Sequence, residues 1–447
     1  MSNQNHIISP KQLINQIETQ HSVASITVNN LPVWQFLRNL IYGKNAVEKR
    51  NQKRSIKSLF KAAKMSSLNR KQFDYILFTD TKELVLTQNN QYIDKISQSI
   101  IDLLKQKLLV VLNPLEGLQS SIQNNNNIMF TSYFHLKRRA SIMNKKHIIE
   151  NESELKIICD KVSFDYFQYI KLFFIYHNVF DRWLDMVQPK AVFINCGYSL
   201  FHQALIYTCN IKKIETVELQ HGLITAGHIQ YSPNINIGQD TFPKHLLTFS
   251  NYYSQFINTH FIRPSNICPI GHYYRERKIK ESNLACKKMV MDLRNKYKKI
   301  VLVASQDIVE KELINSVQKI AVARPEYCFI FKQRVASDIN LEPDNVILDE
   351  KYNIYDFINL VDCNLSCFST NVLESLSNKT IGVLMDFSNL ASEYYGQIKK
   401  DCNTIFICKT NKDAIRALDL EVDSYRGPSF YANNNKRNVE AFISSLS

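Results

Sequence analysis

The stretch AVFINCGYSLFHQALIYTCNIKKIETVELQHG, residues 191–222, contains a complete strand–helix–strand unit. Ala191-Val-Phe-Ile-Asn195 is a short apolar run of the kind that forms a buried strand, and Ser199–Asn210 has the length and apolar spacing of a helix. Thr216-Val-Glu-Leu219 is a second buried strand. Because parallel strands are joined through a helix, this stretch predicts a βαβ unit.

The same alternation continues on both sides of this unit. Helical patterns cover 92–107 and 152–187, and a polar, highly charged segment at 273–288 separates two series of short apolar runs. The predicted strands are 75–79, 108–112, 246–249 and 267–270 in the first series, and 300–304, 328–331, 346–348, 380–384 and 404–407 in the second. We therefore expect an α/β protein with two parallel, doubly wound sheets, whose carboxyl edges face each other across a cleft.

Length and composition agree with two globular domains. The chain has 447 residues, of which 45% are hydrophobic and 21% are charged, a balance that can bury a sizeable core. We divide it into a helical, basic segment (1–72), a first Rossmann-like domain (73–262), a linker (263–285) and a second Rossmann-like domain with a C-terminal helix (286–447).

The sequence contains no membrane-spanning or secretion signal. No run reaches the ~18 to 20 apolar residues that a spanning helix needs, and Met1 to His6 lack the basic start of a signal peptide. We expect a cytoplasmic protein whose ten cysteines are thiols. Cys363 and Cys367 are the only close pair, and without a second pair or a nearby His they do not predict a metal site.

The net charge of +14 predicts an anionic partner. Nine basic residues lie between Lys49 and Lys71, and the apolar residues of that segment have helical spacing. Such a basic amphipathic helix can lie on an anionic membrane surface, or it can be a solvated face of the first domain; both interpretations stay open. A nucleic-acid partner is not expected, because interleaved aromatic residues and recognition modules are absent.

The segment Glu218–His228 follows a predicted strand and carries the first candidate site. Gln220, His221 and Gly222 lie where that strand ends, and ligands bind at this edge of a parallel sheet. An imidazole suits general-base work, because its ordinary pKa of ~6.5 is close to neutral. His228 is a candidate to bind phosphate or to join a hydrogen-bond network. The alternative is that His221 is only a turn residue.

A basic pair follows a strand in the second series. Lys332 and Arg334 come directly after the apolar run 328–331, so they too are expected at a carboxyl edge. Two cations there can bind a phosphate or a diphosphate. A basic pair in this position is more often an ordinary solvated loop.

Hydroxyl side chains precede a predicted helix in the same series. Ser366, Ser369 and Thr370 come before it, and Glu374 lies one turn inside it. Free backbone N–H groups at a helix start can hold a phosphate, hydroxyls add bonds, and Glu374 can accept from ribose hydroxyls. The alternative is an ordinary Ser/Thr N-cap.

Several common enzyme motifs are absent from the sequence. It contains no GxxxxGK[ST], no GxGxxG after a strand, no HExxH and no GxSxG. These absences argue against a P-loop NTPase, a dinucleotide oxidoreductase, a zincin and an α/β-hydrolase.

Taken together, the pattern resembles the GT-B glycosyltransferases of bacterial capsule and O-antigen clusters. Glu218-Leu-Gln-His-Gly222 is its most specific feature, followed by Ile270-Gly-His272 and by the Ser-Thr and Glu of 369–374. The segments 31–38 and 90–104 look like opening elements of that group. The resemblance covers about residues 30–410 and implies an acceptor cleft formed by Gln220, Gly222, His228, Gly271 and His272.

Sialyltransferases and Kdo transferases are more distantly similar. In them an acidic-acidic-Gly motif supplies the base, a His-Pro pair binds donor phosphate, and a Ser/Ser-Thr pair completes the phosphate site. Here Gln220-His221-Gly222 and Arg334-Val335 replace the first two, and Ser369-Thr370 matches the third, which argues against a CMP-sugar donor. The His-Gly pair is similar to that of teichoic-acid glycerophosphotransferases, in which such a His is the base.

The resemblance implies a metal-independent glycosyltransferase of surface-polysaccharide synthesis that needs no cofactor. The second domain would hold a nucleotide-sugar donor, and His221 would deprotonate a glycan or lipid-linked oligosaccharide acceptor, opposite Ser369 and Thr370. A lipid-linked acceptor fits a cytoplasmic protein that associates peripherally with the inner face of the membrane. The alternatives are a nucleotide-sugar epimerase or hydrolase, and a non-catalytic basic nucleic-acid-binding protein.

Overall fold

The structure is a computed structural model that describes residues 10–46, 73–87, 92–113, 127–140, 147–281, 283–334, 341–376, 380–422 and 424–446. The basic segment Lys49–Lys71 and Asn124 to Asn126 lie outside the described residues. The described chain forms two compact units. The first contains residues 1–221, 229–273 and 434–447, and the second contains residues 222–228 and 274–433.

The first unit begins with two packed helices around a short hairpin. These elements are α1 (Pro10–Gln20), β1 (Thr27–Val28), β2 (Leu31–Pro32) and α2 (Trp34–Ala46). A buried ion pair joins the helices, because Arg38 Nε lies 2.7 Å from Glu18 Oε1 and neither side chain is exposed to solvent. Trp34 Nε1 donates to the same carboxylate at 3.1 Å.

A seven-stranded parallel sheet forms the centre of the first unit, counted over the described residues. The strands of this unit are β3 (Tyr75–Asp80), β4 (Leu84–Leu86), β5 (Tyr92–Asp94), β6 (Leu108–Asn113), β7 (Ile128–Phe130), β8 (Ala191–Ile194), β9 (Glu215–Leu219), β10 (His245–Thr248) and β11 (Ile267–Pro269). The sheet order is β11-β10-β9-β8-β3-β6-β7, and β4 pairs with β5 as a separate antiparallel ribbon. All neighbours in the large sheet are parallel.

Helices cover this sheet and bury an aromatic core. They are α3 (Gln98–Leu104), α4 (Ser132–Ala140), α5 (Glu152–Lys161), α6 (Tyr166–Val187) and α7 (Leu200–Ile211). Phe78 of β3 lies against Phe134, Phe180, Trp183 and Phe201, with ring centroids 6.0 to 6.4 Å apart. These buried rings bind α4, α6 and α7 to the central strand, because aromatic side chains remove large apolar areas from water.

The second unit contains a six-stranded parallel sheet among its described residues. Its strands are β12 (Lys299–Ala304), β13 (Tyr327–Lys332), β14 (Val346–Leu348), β15 (Cys363–Ser366), β16 (Ile381–Met385) and β17 (Ile405–Cys408), in the order β14-β13-β12-β15-β16-β17. Its helices are α8 (Tyr273–Lys280), α9 (Leu284–Arg294), α10 (Glu310–Ala323), α11 (Ile354–Phe357), α12 (Asn371–Ser375), α13 (Leu390–Asp401) and α14 (Asn411–Asp419).

The last helix, α15 (Asn435–Ser445), belongs to the first unit. Asn435 Nδ2 donates to the carbonyl of Ile270 at 3.2 Å, and the Phe442 ring packs edge-on against His245. The sequence-based division placed this helix with 286–447, so the structure differs there. The reason is that these contacts join residues 165 and 197 positions apart along the chain, beyond the reach of a local pattern.

Several predicted helices have different bounds in the structure. The prediction for 92–107 was wrong at its start, because Tyr92–Asp94 is a strand and the Asp94 carboxylate accepts from the N–H groups of Ile96 and Ser97. The prediction for 152–187 missed a break at 162–165, where Ser163 has a φ of 50°. The charged segment 273–288 consists mainly of α8 and the start of α9.

Within the described residues, no helix combines the length and the apolarity needed to cross a bilayer.

Candidate functional site

The strand orders identify where ligands should bind in each unit. In an open parallel sheet, the binding crevice lies outside the carboxyl ends of the two strands at which the chain order reverses direction. This reversal falls between β3 and β8 in the first sheet and between β12 and β15 in the second. The loops that follow these four strands are therefore the candidate sites.

In the first unit, a buried polar network fixes the loop after β8. Asn195 Nδ2 donates to Thr79 Oγ1 at 2.7 Å, and Thr79 Oγ1 in turn donates to Asp94 Oδ2 at 2.6 Å. The Asn195 Oδ1 atom is buried and has no hydrogen-bond partner among the described residues. Since buried polar groups are almost always paired, such an atom points to a missing water or ligand.

His221 lies beside this loop at the carboxyl end of β9. The preceding residue, Gln220, is buried and anchored to β10, because its Oε1 accepts from the N–H of Phe249 at 2.7 Å. His221 Nε2 lies 3.2 Å from the hydroxyl of Tyr198. The Nδ1 atom is buried and makes no hydrogen bond to the described residues.

The environment of His221 favours its neutral form. Burial lowers the pKa of the imidazole below its ordinary value, while the charge of Glu83 and the backbone carbonyls of Leu219 and Asn195 partly oppose this shift. A neutral imidazole at physiological pH has a free lone pair, so it is the form that can accept a proton.

Glu218 lies on β9 beneath the same loop. Its Oε1 accepts from the Tyr231 hydroxyl at 2.9 Å and from the backbone N–H of Gly197 at 3.1 Å, and its Oε2 has no partner among the described residues. Burial raises the pKa of this carboxyl to about 7, against the effect of those two donors. The side chain has no exposed surface, so it cannot touch a substrate.

The other predicted acceptor residues have mixed surroundings. Gly222 has open space where a side chain would begin, and it starts the segment 222–228 that belongs to the second unit. Within that segment His228 is partly exposed, and a Cβ on Gly227 would lie 2.8 Å from the backbone oxygen of Glu393. Gly271 has a φ of 84°, and His272 is buried against the Phe249 ring.

In the second unit, Ser366 and Gln306 connect the ends of the two central strands. The Ser366 hydroxyl is buried and donates to the carbonyl of Ala304 at 2.7 Å. Gln306 Oε1 accepts from the N–H of Phe368 at 2.8 Å, which fixes the loop after β15 to the loop after β12. Ser366 therefore supports the site from below and is not open to a ligand.

Ser369 and Thr370 are the exposed polar residues of that loop. Both are partly exposed, and the Thr370 hydroxyl forms no hydrogen bond within the described chain. Ser369 is held in place because its carbonyl accepts from the Tyr395 hydroxyl at 2.6 Å. The helix that follows, Asn371–Ser375, has only five residues, so its dipole adds little to anion binding.

The two predicted cations differ in availability. The Lys332 ammonium donates to Asp349 Oδ2 and to the carbonyl of Tyr352, each at 2.6 Å, and to the Asp349 carbonyl at 2.5 Å. These bonds use all three of its N–H groups. Arg334 is exposed and makes no ion pair with any residue that the structure describes.

Glu374 is buried within the second unit. Its Oε1 accepts from the Tyr355 hydroxyl at 2.9 Å, and its Oε2 accepts from Asn371 Nδ2 at 3.3 Å. Only 3% of its surface is exposed, so there is little room for contact with a ribose.

Sequence reasoning missed Tyr198 and Asn195 in the first unit and Gln306 in the second. Asn195 ends a predicted strand, Tyr198 follows that strand by three residues and Gln306 follows another by two, so their places at a carboxyl edge could have been inferred. Sequence alone could not single these residues out, because several strands are followed by polar residues. Only the strand order shows which two strands of each sheet lie at its reversal.

No protein-family model and no curated protein matches the sequence. Solved structures do match: S. aureus MnaA, in a co-structure with UDP, aligns with a TM-score of 0.53 and 10% identity over 84% of this chain and 98% of that chain. A Neisseria meningitidis UDP-GlcNAc 2-epimerase bound to UDP-GlcNAc aligns with a TM-score of 0.51 and 12% identity over 83% of this chain and 99% of that chain. A glycosyltransferase of kitacinnamycin aligns with a TM-score of 0.48 and 8% identity over 84% of this chain and 95% of that chain.

At these identities the likeness shows the fold and nothing finer. The predicted fold class is confirmed: two parallel α/β sheets in a GT-B-like fold. The resemblance to capsule and O-antigen glycosyltransferases extends to this fold and not to a sequence family. The chain therefore has a GT-B-like fold, which it shares with MnaA and with the Neisseria meningitidis UDP-GlcNAc 2-epimerase.

Proposed function

We propose that the protein is a glycosyltransferase that moves a sugar from a nucleotide-sugar donor to a hydroxyl of a surface-polysaccharide acceptor. The observation that carries this proposal is the position of His221, which lies at the carboxyl end of β9 beside the reversal of the first sheet, with its Nε2 3.2 Å from the Tyr198 hydroxyl. A neutral imidazole in such a position can deprotonate an acceptor hydroxyl.

In the proposed donor site, Ser369, Thr370 and Arg334 bind the phosphates. The hydroxyls and the free guanidinium supply hydrogen bonds and charge for an anionic leaving group. Lys332 and Glu374 support this site without contacting the donor, because Lys332 bonds to Asp349 and Glu374 bonds to Tyr355. The co-structure of MnaA with UDP makes UDP the first nucleotide to test.

The proposed base lies where the chain passes from the first unit to the second. His221 is the last residue of its stretch in the first unit, and Gly222 starts the segment that belongs to the second unit. In the proposed reaction, His221 takes the acceptor proton while the donor phosphate leaves, which is a single displacement with inversion at the anomeric carbon. We propose a lipid-linked oligosaccharide as acceptor, in line with the basic segment 49–71.

An epimerase is the second candidate, since the structures with a TM-score above 0.5 include a UDP-GlcNAc 2-epimerase. An epimerase must remove and return a proton, which commonly takes two acid–base groups at the substrate. Glu218, one of the titrating groups near His221, has no exposed surface and cannot be the second of these groups, whereas Glu83, whose charge acts on His221, is partly exposed.

The experiment that tests the proposal screens nucleotides for thermal stabilisation and then measures transfer from the matching nucleotide sugar. A ligand that binds only the folded protein raises its melting temperature. Product formation that depends on an acceptor supports a transferase. Conversion of the donor without acceptor would overturn this assignment in favour of the epimerase.

Two variants separate catalysis from donor binding. We expect His221→Ala to lower turnover by about 10² to 10⁴-fold with nearly unchanged nucleotide affinity, because only the base is lost. Arg334→Gln should weaken nucleotide binding, measured by calorimetry. Arg263→Gln is its matched control, since Arg263 is also exposed and has no ion pair among the described residues. Full activity of His221→Ala would show that the base lies elsewhere.

A further inference from the structure

Tyr198 is held rigidly beside His221 by bonds on both sides of it in the chain. The N–H of Gly197 donates to Glu218 Oε1 at 3.1 Å, and the Ser199 side chain accepts from the N–H of His202 at 3.2 Å and so caps α7. A Cβ at position 197 would lie 2.6 Å from Glu218 Oε2, so a larger residue there would displace the Glu218 carboxylate. The position of Tyr198 is therefore fixed by the buried Glu218 and by the start of a helix.

The two ring nitrogens of His221 have different surroundings. Nδ1 is buried, and Nε2 lies 3.2 Å from the Tyr198 hydroxyl. A neutral imidazole has one N–H and one lone pair, and that lone pair lies in the ring plane. When Tyr198 donates its hydroxyl hydrogen to Nε2, Nδ1 carries the ring proton and the lone pair is occupied.

The Tyr198 side chain is partly exposed, and a phenol hydroxyl can donate its hydrogen while its oxygen accepts another hydrogen bond. We infer that Tyr198 relays the acceptor proton to His221 Nε2; this inference rests on the proposed function and names the path of the proton. A direct transfer would require Tyr198 to move away from a site in which both neighbouring residues are anchored.

In this step the acceptor oxygen bonds to the anomeric carbon of the donor as its O–H bond breaks. The released proton passes to Tyr198 Oη, and the hydroxyl proton of Tyr198 passes to His221 Nε2, which becomes an imidazolium. The bond from the anomeric carbon to the donor phosphate oxygen breaks, and its electron pair leaves with the nucleotide. Tyr198 carries no charge before or after the transfer.

Tyr198→Phe distinguishes the relay from direct transfer, because the two make opposite predictions. Under the relay, turnover should fall about 10²-fold with the KM for the donor unchanged, since the bridging oxygen is lost. Under direct transfer, the variant opens Nε2 and should keep or raise turnover, which would overturn the inference. Tyr166→Phe is the matched control. It also removes a tyrosine hydroxyl, whose hydrogen bond to Glu152 is exposed and joins α6 to α5.

A second measurement needs neither donor nor acceptor. In ¹⁵N-histidine NMR of the ligand-free protein, with His221→Gln to assign the signals, we expect Nδ1 protonated and Nε2 accepting a hydrogen bond. Tyr198→Phe should shift the Nε2 resonance, because it removes the hydroxyl that lies 3.2 Å from Nε2. A protonated Nε2 in the wild type, or an unchanged Nε2 signal in Tyr198→Phe, would contradict the relay.

The two proposals fail in different ways. If His221→Ala keeps full activity, the proposed base is wrong whatever the NMR shows. If His221→Ala is inactive and Tyr198→Phe is fully active, only the relay is wrong.

Discussion

At the scale of single residues, Glu218 is a carboxyl that is fully buried in the first unit. Its carboxyl is fully buried and its pKa is raised from 4.5 to about 7, because burial disfavours the charged form more than Tyr231 and Gly197 stabilise it. A carboxyl whose pKa is raised on folding stabilises the fold below pH ~4.5 and loses that contribution as the pH rises through about 7.

We therefore expect Glu218→Gln to remove a pH dependence. A shift from 4.5 to about 7 corresponds to about 3 kcal/mol of unfolding free energy lost between pH 5 and 8. The melting temperature of Glu218→Gln relative to wild type should rise from pH 5.5 to 8.5. A constant difference across this range would show that Glu218 does not titrate there. Glu281→Gln is the control, because it removes only an exposed pair with Arg277.

At the scale of elements, the buried Glu18–Arg38 pair joins α1 and α2 to the chain that follows the His221 segment. Arg38 Nη1 donates to the carbonyl of Ile229 at 2.7 Å, and Glu18 Oε2 accepts from the N–H of Asn234 at 3.1 Å. The two N-terminal helices thus fix residues 229–234. A charged group left alone there would be costly, because it has no water to solvate it.

This arrangement predicts a strong asymmetry between single and double variants. Arg38→Met should destabilise the protein by about 3 to 5 kcal/mol, because it leaves the Glu18 carboxylate buried without its partner. Adding Glu18→Gln should recover part of that loss, since no uncompensated charge remains. Thermal unfolding of the single and double variants measures the coupling. Additive effects would mean that the pair contributes no specific stabilisation.

At the scale of the whole molecule, the chain leaves the first unit and returns to it. Residues 274–433 belong to the second unit, and α15 then packs on the first. Besides the contacts of Asn435 and Phe442, Lys436 lies 3.5 Å from the Asp102 carboxylate of α3.

Ending the chain after Asn433 should therefore affect the first unit selectively. We expect faster hydrogen exchange in β10, β11 and α3, which lose the contacts of α15, and unchanged exchange in β12 to β17. Mass spectrometry of the exchanged peptides measures both sets at once. Equal loss of protection in the second sheet would mean that α15 stabilises both units.

The sequence alone determined the alternation of strands and helices and the fold class. Parallel strands are buried on both faces, so each appears as a continuous apolar run, and the predicted strands agree with the observed ones to within one or two residues. It did not predict β7 or β15, but it placed His221 directly after a strand and Ser369 and Thr370 directly before a helix. Local pattern suffices for these features because each depends on neighbouring residues only.

Only the tertiary structure decided the strand order, and with it the two reversals at which the candidate sites lie. It also decided which polar groups are free: Lys332 bonds to Asp349, and Glu218 bonds to Gly197 and Tyr231, while Thr370 and Arg334 stay open. These outcomes depend on partners 13 to 21 positions away, brought together by sheet pairing and burial. Periodicity along the chain records which residues are buried, but not which of them meet.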